Sequence, residues 1–122
     1  MVLTIALPAA GGKRETYSVR EPRAFAKPSK PFTRVAYAAA HVVADPLSTK
    51  DPWLEAAIDW EATLAYRRHL WSWGFGIAES MDTAQRGMGL DWTNSLELVR
   101  RTLAEAGPGQ VVASGAGTDH LP

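Results

Sequence analysis

The sequence predicts an α/β fold: an N-terminal β-hairpin extension followed by a strand–helix–strand–helix–strand (βαβαβ) unit around a parallel sheet. Three observations predict it. Short apolar runs alternate with helix-length segments from Arg34 onward. Both helix-length segments open on an aspartate able to cap the first turn, and glycines follow their ends. Pro22, Pro28 and Pro31 forbid a regular helix just before this unit and so mark a connector. The expected division is residues 1–33 as hairpin plus Pro-rich connector, and residues 34–122 as the βαβαβ unit.

Val2 to Leu7 is a β-branched and apolar strand. Gly11-Gly12 supplies a turn, and Thr16 to Val19 returns as the second strand. Arg34 to Val43 is a run of small apolar residues, as expected of a strand buried on both faces. Ala44 to Trp53 is a loop punctuated by Pro46 and Pro52. Asp59 caps the first helix, whose apolar face is Trp60, Thr63, Leu64, Tyr66, Leu70 and Trp71. Arg67, Arg68 and His69 fall near its C-terminal end, where positive charge favours the helix dipole, and Gly74 follows. Phe75 to Met81 is the next strand, and Asp82 to Gly89 a loop. Asp91 caps the second helix, with Trp92, Leu96, Val99 and Leu103 on its apolar face. Gly107-Pro108-Gly109 ends it, and Gln110 to Ser114 is the last strand.

The chain of 122 residues is long enough for one small domain with a core. Thirteen basic and thirteen acidic side chains balance, so net charge gives no case for a nucleic-acid partner or an anionic membrane. There is no cysteine, which removes disulfides, thiolate metal sites and cysteine nucleophiles and fits a cytoplasmic location. The apolar run near Met1 lacks the basic flank of a signal peptide, and no stretch reaches the roughly 20 apolar residues of a membrane helix.

In parallel α/β folds, ligands bind at the carboxyl ends of the strands. This rule gathers His41 and Asp45 after the first strand of the unit, and Glu79, Asp82, Thr83, Gln85 and Arg86 after the second. Ser114, Thr118, Asp119 and His120 follow the third. Each also has a structural role open to it. His41 can be a satisfied strand-end histidine, Asp82 a turn residue, Arg86 a solvated arginine and Asp119 a helix cap. Glu79 can pair with an arginine from outside the chain, and His69 can lie on the helix surface. No phosphate-loop, His-Glu-x-x-His or Gly-x-Ser-x-Gly pattern occurs, and Gly115-Ala116-Gly117 is only part of a dinucleotide fingerprint. No cofactor and no metal are therefore expected.

The stretches Arg-Val-Ala-Tyr-Ala-Ala-Ala-His-Val-Val-Ala-Asp-Pro, from Arg34, and Met-Asp-Thr-Ala-Gln-Arg-Gly-Met-Gly-Leu-Asp-Trp, from Met81, carry a family resemblance. The chain resembles an uncharacterised bacterial branch of the dihydrodipicolinate synthase / N-acetylneuraminate lyase superfamily. The resemblance implies that residues 34–122 are the first part of a (β/α)₈ TIM barrel, incomplete at three strands and two helices. It also implies a parent lyase of aldolase type, making or breaking a carbon–carbon bond of a 2-keto acid through a lysine Schiff base. In the family, a loop Gly-Thr-Thr-Gly-Glu after the second strand holds the substrate carboxylate. That loop falls on Asp82-Thr83-Ala84-Gln85-Arg86, where only Thr83 matches. Asp82 brings a negative charge to that position, and Arg86 can offset it. The family's Gly-Thr-Gly-Ala-Asn after the third strand corresponds to Gly115-Ala116-Gly117-Thr118-Asp119, matching both glycines. The implied substrate-binding set is thus Thr83, Asp82, Gln85, Arg86, His41, Glu79, Gly115, Gly117 and Asp119.

The family's lysine belongs to the sixth strand and its proton-relaying tyrosine to the fifth. Lys13, Lys27, Lys30 and Lys50 all fall in loops or the extension. A complete barrel runs to about 250 residues. The expected function is therefore that of an inactive portion of a lyase. Two further readings stand beside it. One is a divalent-metal barrel enzyme with His41, Glu79 or Asp82, and Asp119 as ligands. The other is a non-catalytic α/β module that covers its strand edges by homo-oligomerisation or with a partner chain.

Overall fold

The computed structural model describes residues 3–51, 54–84, 86 and 89–116, with only the backbone of Asp82. Two sheets and two helices form a mixed α/β chain. The first sheet is an antiparallel hairpin of β1 (Thr4–Pro8) and β2 (Arg14–Ser18). Gly11 and Gly12 turn the chain at φ 71° and 72°, a region open to glycine at little cost.

The second sheet is parallel, in the order β3 (Tyr37–Ala39), β4 (Gly76–Glu79), β5 (Val112–Ser114). Helix α1 (Trp60–Ser72) connects β3 to β4, and α2 (Trp92–Glu105) connects β4 to β5. This is the expected βαβαβ order. The described residues form no closed barrel, and none of their helices is long and apolar enough to cross a membrane.

Both helices start where the sequence places them. The Asp59 side chain accepts from Ala62 N at 2.9 Å, and Asp91 accepts from Asn94 N at 2.7 Å. At the end of α1, Gly74 takes φ 83° and its N–H reaches Trp71 O at 2.9 Å. The strands are shorter than the apolar runs suggest. After β4, Ser80 adopts φ 52°, outside the extended region, so the strand cannot continue to Met81. The loop after β3 is longer than expected and runs to Ile58, which bridges back to Ala44. Within the stretch expected as a loop after β4, Asp82–Ala84 is a 3₁₀ turn.

Alternation along the strands assigns the two faces. Ala38, Ile77 and Val112 share a register and point one way, followed by Ala40, Glu79 and Ser114. Ala40, Ile77 and Trp71 form one apolar cluster, with Tyr66, Leu70, Ala106 and Val112 packed on it. Ala84, Leu90 and Leu98 form a second, with Val42, Ile58 and Trp60. The opposite face carries Tyr37, Ala39, Gly76, Ala78 and Ala113. Tyr37 lies over Gly76 so closely that a Cβ there would meet its ring at 2.9 Å.

Two expectations about the helices are corrected. Arg67, expected to serve the helix dipole near the C-terminal end, is instead fully buried. In α2 the buried positions are Ser95, Leu98 and Thr102, whereas Leu96 and Leu103 are 50% and 56% exposed. The helix is turned so that Thr102 meets the carboxylate of Glu79, with Ser95 and Leu98 buried on the same side. Hydrophobicity ranks leucine above threonine for the core, but the buried charge reverses the order here.

Candidate functional site

At the carboxyl end of β4 the chain places a carboxylate inside the protein, and the neighbouring elements are built around it. The Glu79 side chain has no exposure. Arg67 Nε donates to Glu79 Oε2 at 2.9 Å and Arg67 Nη2 to Oε1 at 2.8 Å. Thr102 Oγ1 donates to Oε2 at 2.5 Å, and the Ser80 N–H donates to Oε1 at 2.9 Å. Arg67 Nη1 also donates to His41 O at 2.5 Å and Thr63 O at 3.1 Å. Thr63 Oγ1 in turn accepts from Val43 N at 2.9 Å. Burial of two charges is tolerated only with this degree of pairing. The network ties β4 to both helices, which fixes them on one face of the sheet, and ties the end of β3 to α1.

Glu79 therefore faces the helix layer, and all four contacts on its oxygens come from this chain. The arginine that the sequence suggested as an outside partner is Arg67, twelve residues upstream on α1. Sequence reasoning assigned Arg67 to the helix dipole, with Arg68 and His69, and missed this role. The available signal was spacing: 60, 63, 64, 67 and 71 lie on one helical stripe, and an arginine on that stripe needs a buried acid.

Past Ser80, the loops after β4 and β5 meet. Arg86 Nη1 donates to Gly115 O at 2.7 Å, and the Arg86 guanidinium carbon lies 4.8 Å from the centroid of the Trp92 ring. Met81 approaches Gly115 so closely that a Cβ there would overlap its Sδ. Thr83 is half-buried in the 3₁₀ turn of this loop. Thus Thr83, Arg86 and Gly115, drawn from segments about thirty residues apart, belong to one rim. His41 is exposed, and its described link to this region is its carbonyl on Arg67. Asp45 is exposed, and its carboxylate accepts from Leu47 N at 2.9 Å, an aspartate turn. Gln85, Gly117, Thr118, Asp119 and His120 lie outside the described residues, as does the side chain of Asp82.

A cleft of about 360 Å³ opens beside this rim between the loop after β3 and the loop after β4. Val42, Ile58, Ala84 and Leu90 make its apolar floor, and Asp45, Ser48, Lys50 and Glu55 its polar wall. Lys50 Nζ lies 3.4 Å from Glu55 Oε2 and is half exposed. It therefore lacks the buried setting that a Schiff-base lysine needs. Among the described residues, no group of three His, Asp or Glu side chains is arranged to hold a metal ion.

Ser80 and Ser95 are further residues that sequence reasoning passed over. Both hydroxyls are buried without a hydrogen-bond partner, and Ser80 holds a left-handed φ of 52°. Such strain concentrates next to functional sites. Nothing in the residue order marks it, because serine shows no preference for that conformation.

No curated protein matches this chain. A family model described as a protein of unknown function (DUF993) matches residues 5–122, and on that match the chain belongs to this family.

Proposed function

We propose that residues 34–122 are the opening strands and helices of a (β/α)₈ barrel whose parent is a lyase of the dihydrodipicolinate synthase type, acting on a 2-keto acid. The observation that carries this reading is the meeting of two loops at the carboxyl ends of adjacent parallel strands, joined by Arg86 Nη1 to Gly115 O at 2.7 Å. They are the segments that resemble the family's carboxylate-holding loop and its glycine-rich rim. In this reading Thr83 offers a hydroxyl to the substrate carboxylate and Arg86 supplies positive charge beside it. Gly115 and Gly117 let the backbone approach the ligand.

The sheet face carrying Ala39, Ala78 and Ala113 is in this reading the wall that would face the barrel interior. The nucleophilic lysine lies outside these 122 residues, since Lys13, Lys27, Lys30 and Lys50 are all exposed. The chain alone is then inactive. The metal-dependent reading is less favoured, because both Glu79 oxygens are engaged by Arg67, Thr102 and Ser80.

The test is borohydride trapping with pyruvate, read by mass spectrometry. The 122-residue chain is expected to gain no reduced adduct. The product of the whole source reading frame is expected to gain one, on a lysine other than these four. An adduct on Lys13, Lys27, Lys30 or Lys50 overturns the reading, and so does a whole product that is never labelled.

A further inference from the structure

We infer that a cleft at the amino end of the parallel sheet is a binding site for a small organic anion with a flat aromatic body. The cleft holds about 500 Å³ and lies between the proline-rich connector, the end of α1 and the turn before β5. A volume of this order takes a small ligand. Since β4 runs from Gly76 to Glu79, the cleft and the Arg86–Gly115 rim lie at opposite ends of the sheet. The inference therefore does not depend on the lyase reading.

The walls of the cleft are aromatic. Phe32 fastens the connector to the body, its ring 6.5 Å from that of Phe75 and against Gly74. Trp71, almost fully buried, lines the cleft as well. Phe32 is 53% exposed and Phe75 38%, so both rings keep open surface. A flat apolar ligand can stack on such rings or meet them edge to face.

The charge of the lining has one sign. Lys30 and Arg34 belong to it, and no aspartate or glutamate does. Neither cation has a hydrogen-bond or ion-pair partner among the described residues. Neutral polar groups beside them are already engaged: Ser72 Oγ donates to His69 O at 2.7 Å, and Gln110 Oε1 accepts from Gly107 N at 2.8 Å. Helix α1 ends here, and its last carbonyls would repel an anion if left open. They are met by N–H groups, from Trp73 and Phe75 onto Leu70 O and from Gly74 onto Trp71 O. The chain as a whole is neutral, so the positive lining is a local arrangement. Like charges beside low-dielectric walls concentrate their field in a cleft and draw the opposite charge to it. Lys30 and Arg34 thus select the anionic group, and Phe32 and Phe75 the flat body.

The experiment is isothermal titration calorimetry of the 122-residue chain with 2-naphthoate, an aromatic carboxylate, and with its uncharged amide. The expected result is a single site with a Kd below about 1 mM for the carboxylate, and binding of the amide weaker by about tenfold or more. Lys30→Gln with Arg34→Gln is expected to weaken the carboxylate by about tenfold or more, at unchanged far-UV circular dichroism. Arg20→Gln with Arg23→Gln removes the same charge from the connector outside the cleft, and is expected to change the Kd by less than about twofold. Failure of the wild-type chain to bind 2-naphthoate overturns the inference. So does an amide held as tightly as the carboxylate, binding that survives Lys30→Gln with Arg34→Gln, or an equal loss in Arg20→Gln with Arg23→Gln.

Discussion

Arg67 and Glu79 form a two-pronged ion pair, at 2.9 and 2.8 Å, in which neither side chain has any exposure. Along β4 the pair lies beyond Ile77, and along α1 it lies one turn before Trp71. It therefore separates the cluster around Ile77 and Trp71 from the one around Leu90 and Leu98. The helices are thus located by a directional contact as well as by apolar area. Removal of either partner strands a charge in the interior, whereas removal of both does not.

Arg67→Met and Glu79→Gln are each expected to destabilise the fold by about 3–5 kcal/mol. The double variant Arg67→Met/Glu79→Leu is expected to recover most of that loss. Urea unfolding of the four proteins checks this through the midpoint, at unchanged slope. A double variant no more stable than Arg67→Met alone would mean that the pair contributes through geometry that apolar packing cannot replace.

Thr102 supplies the third side-chain contact to the same carboxylate, through Oγ1 to Oε2 at 2.5 Å. Thr102→Val keeps the shape and deletes the donor. The expected cost is about 1–3 kcal/mol. In a Glu79→Leu background the same change should cost close to nothing, since the carboxylate that accepts from Thr102 Oγ1 is no longer there. Thermal unfolding in both backgrounds gives the comparison.

Gly74 ends α1 at φ 83°, and a Cβ there would lie 3.0 Å from the Phe32 ring. Gly74→Ala is expected to cost about 1–2 kcal/mol through the left-handed conformation alone. It should also loosen the connector where Phe32 rests. Limited proteolysis between residues 20 and 31 is expected to speed up in this variant.

Glu97 is held at about 2, well below its ordinary 4.5, by hydrogen bonds from Arg100 first and Arg101 second. The folded-state value is depressed, so the stabilisation is present above about 4.5 and is lost as pH falls towards 2. Across that window the wild-type Tm should fall more steeply than that of Glu97→Gln. The difference should shrink in high salt, because the three side chains lie on the helix surface. Scanning calorimetry at a series of pH values reads both effects.

The sequence by itself determined the βαβαβ order, the two aspartate caps, the glycine end of α1 and the glycine turn of the hairpin. These depend on a few adjacent residues and on backbone conformations that only certain side chains favour. Strand order alone also sent Thr83 and Arg86 to the carboxyl edge of the sheet, while Gly115 entered through the family resemblance. Tertiary structure alone decided which side of α2 is buried, where β4 stops, and what Glu79 touches. The apolar stripe Trp92, Leu96, Val99 and Leu103 is locally the better core face, yet α2 turns Ser95, Leu98 and Thr102 inward. The physical reason is that an ionised group in the interior must find donors at hydrogen-bond distance. Satisfying the Glu79 carboxylate required Arg67 and Thr102, from helices on either side of its strand, and no local pattern records that need.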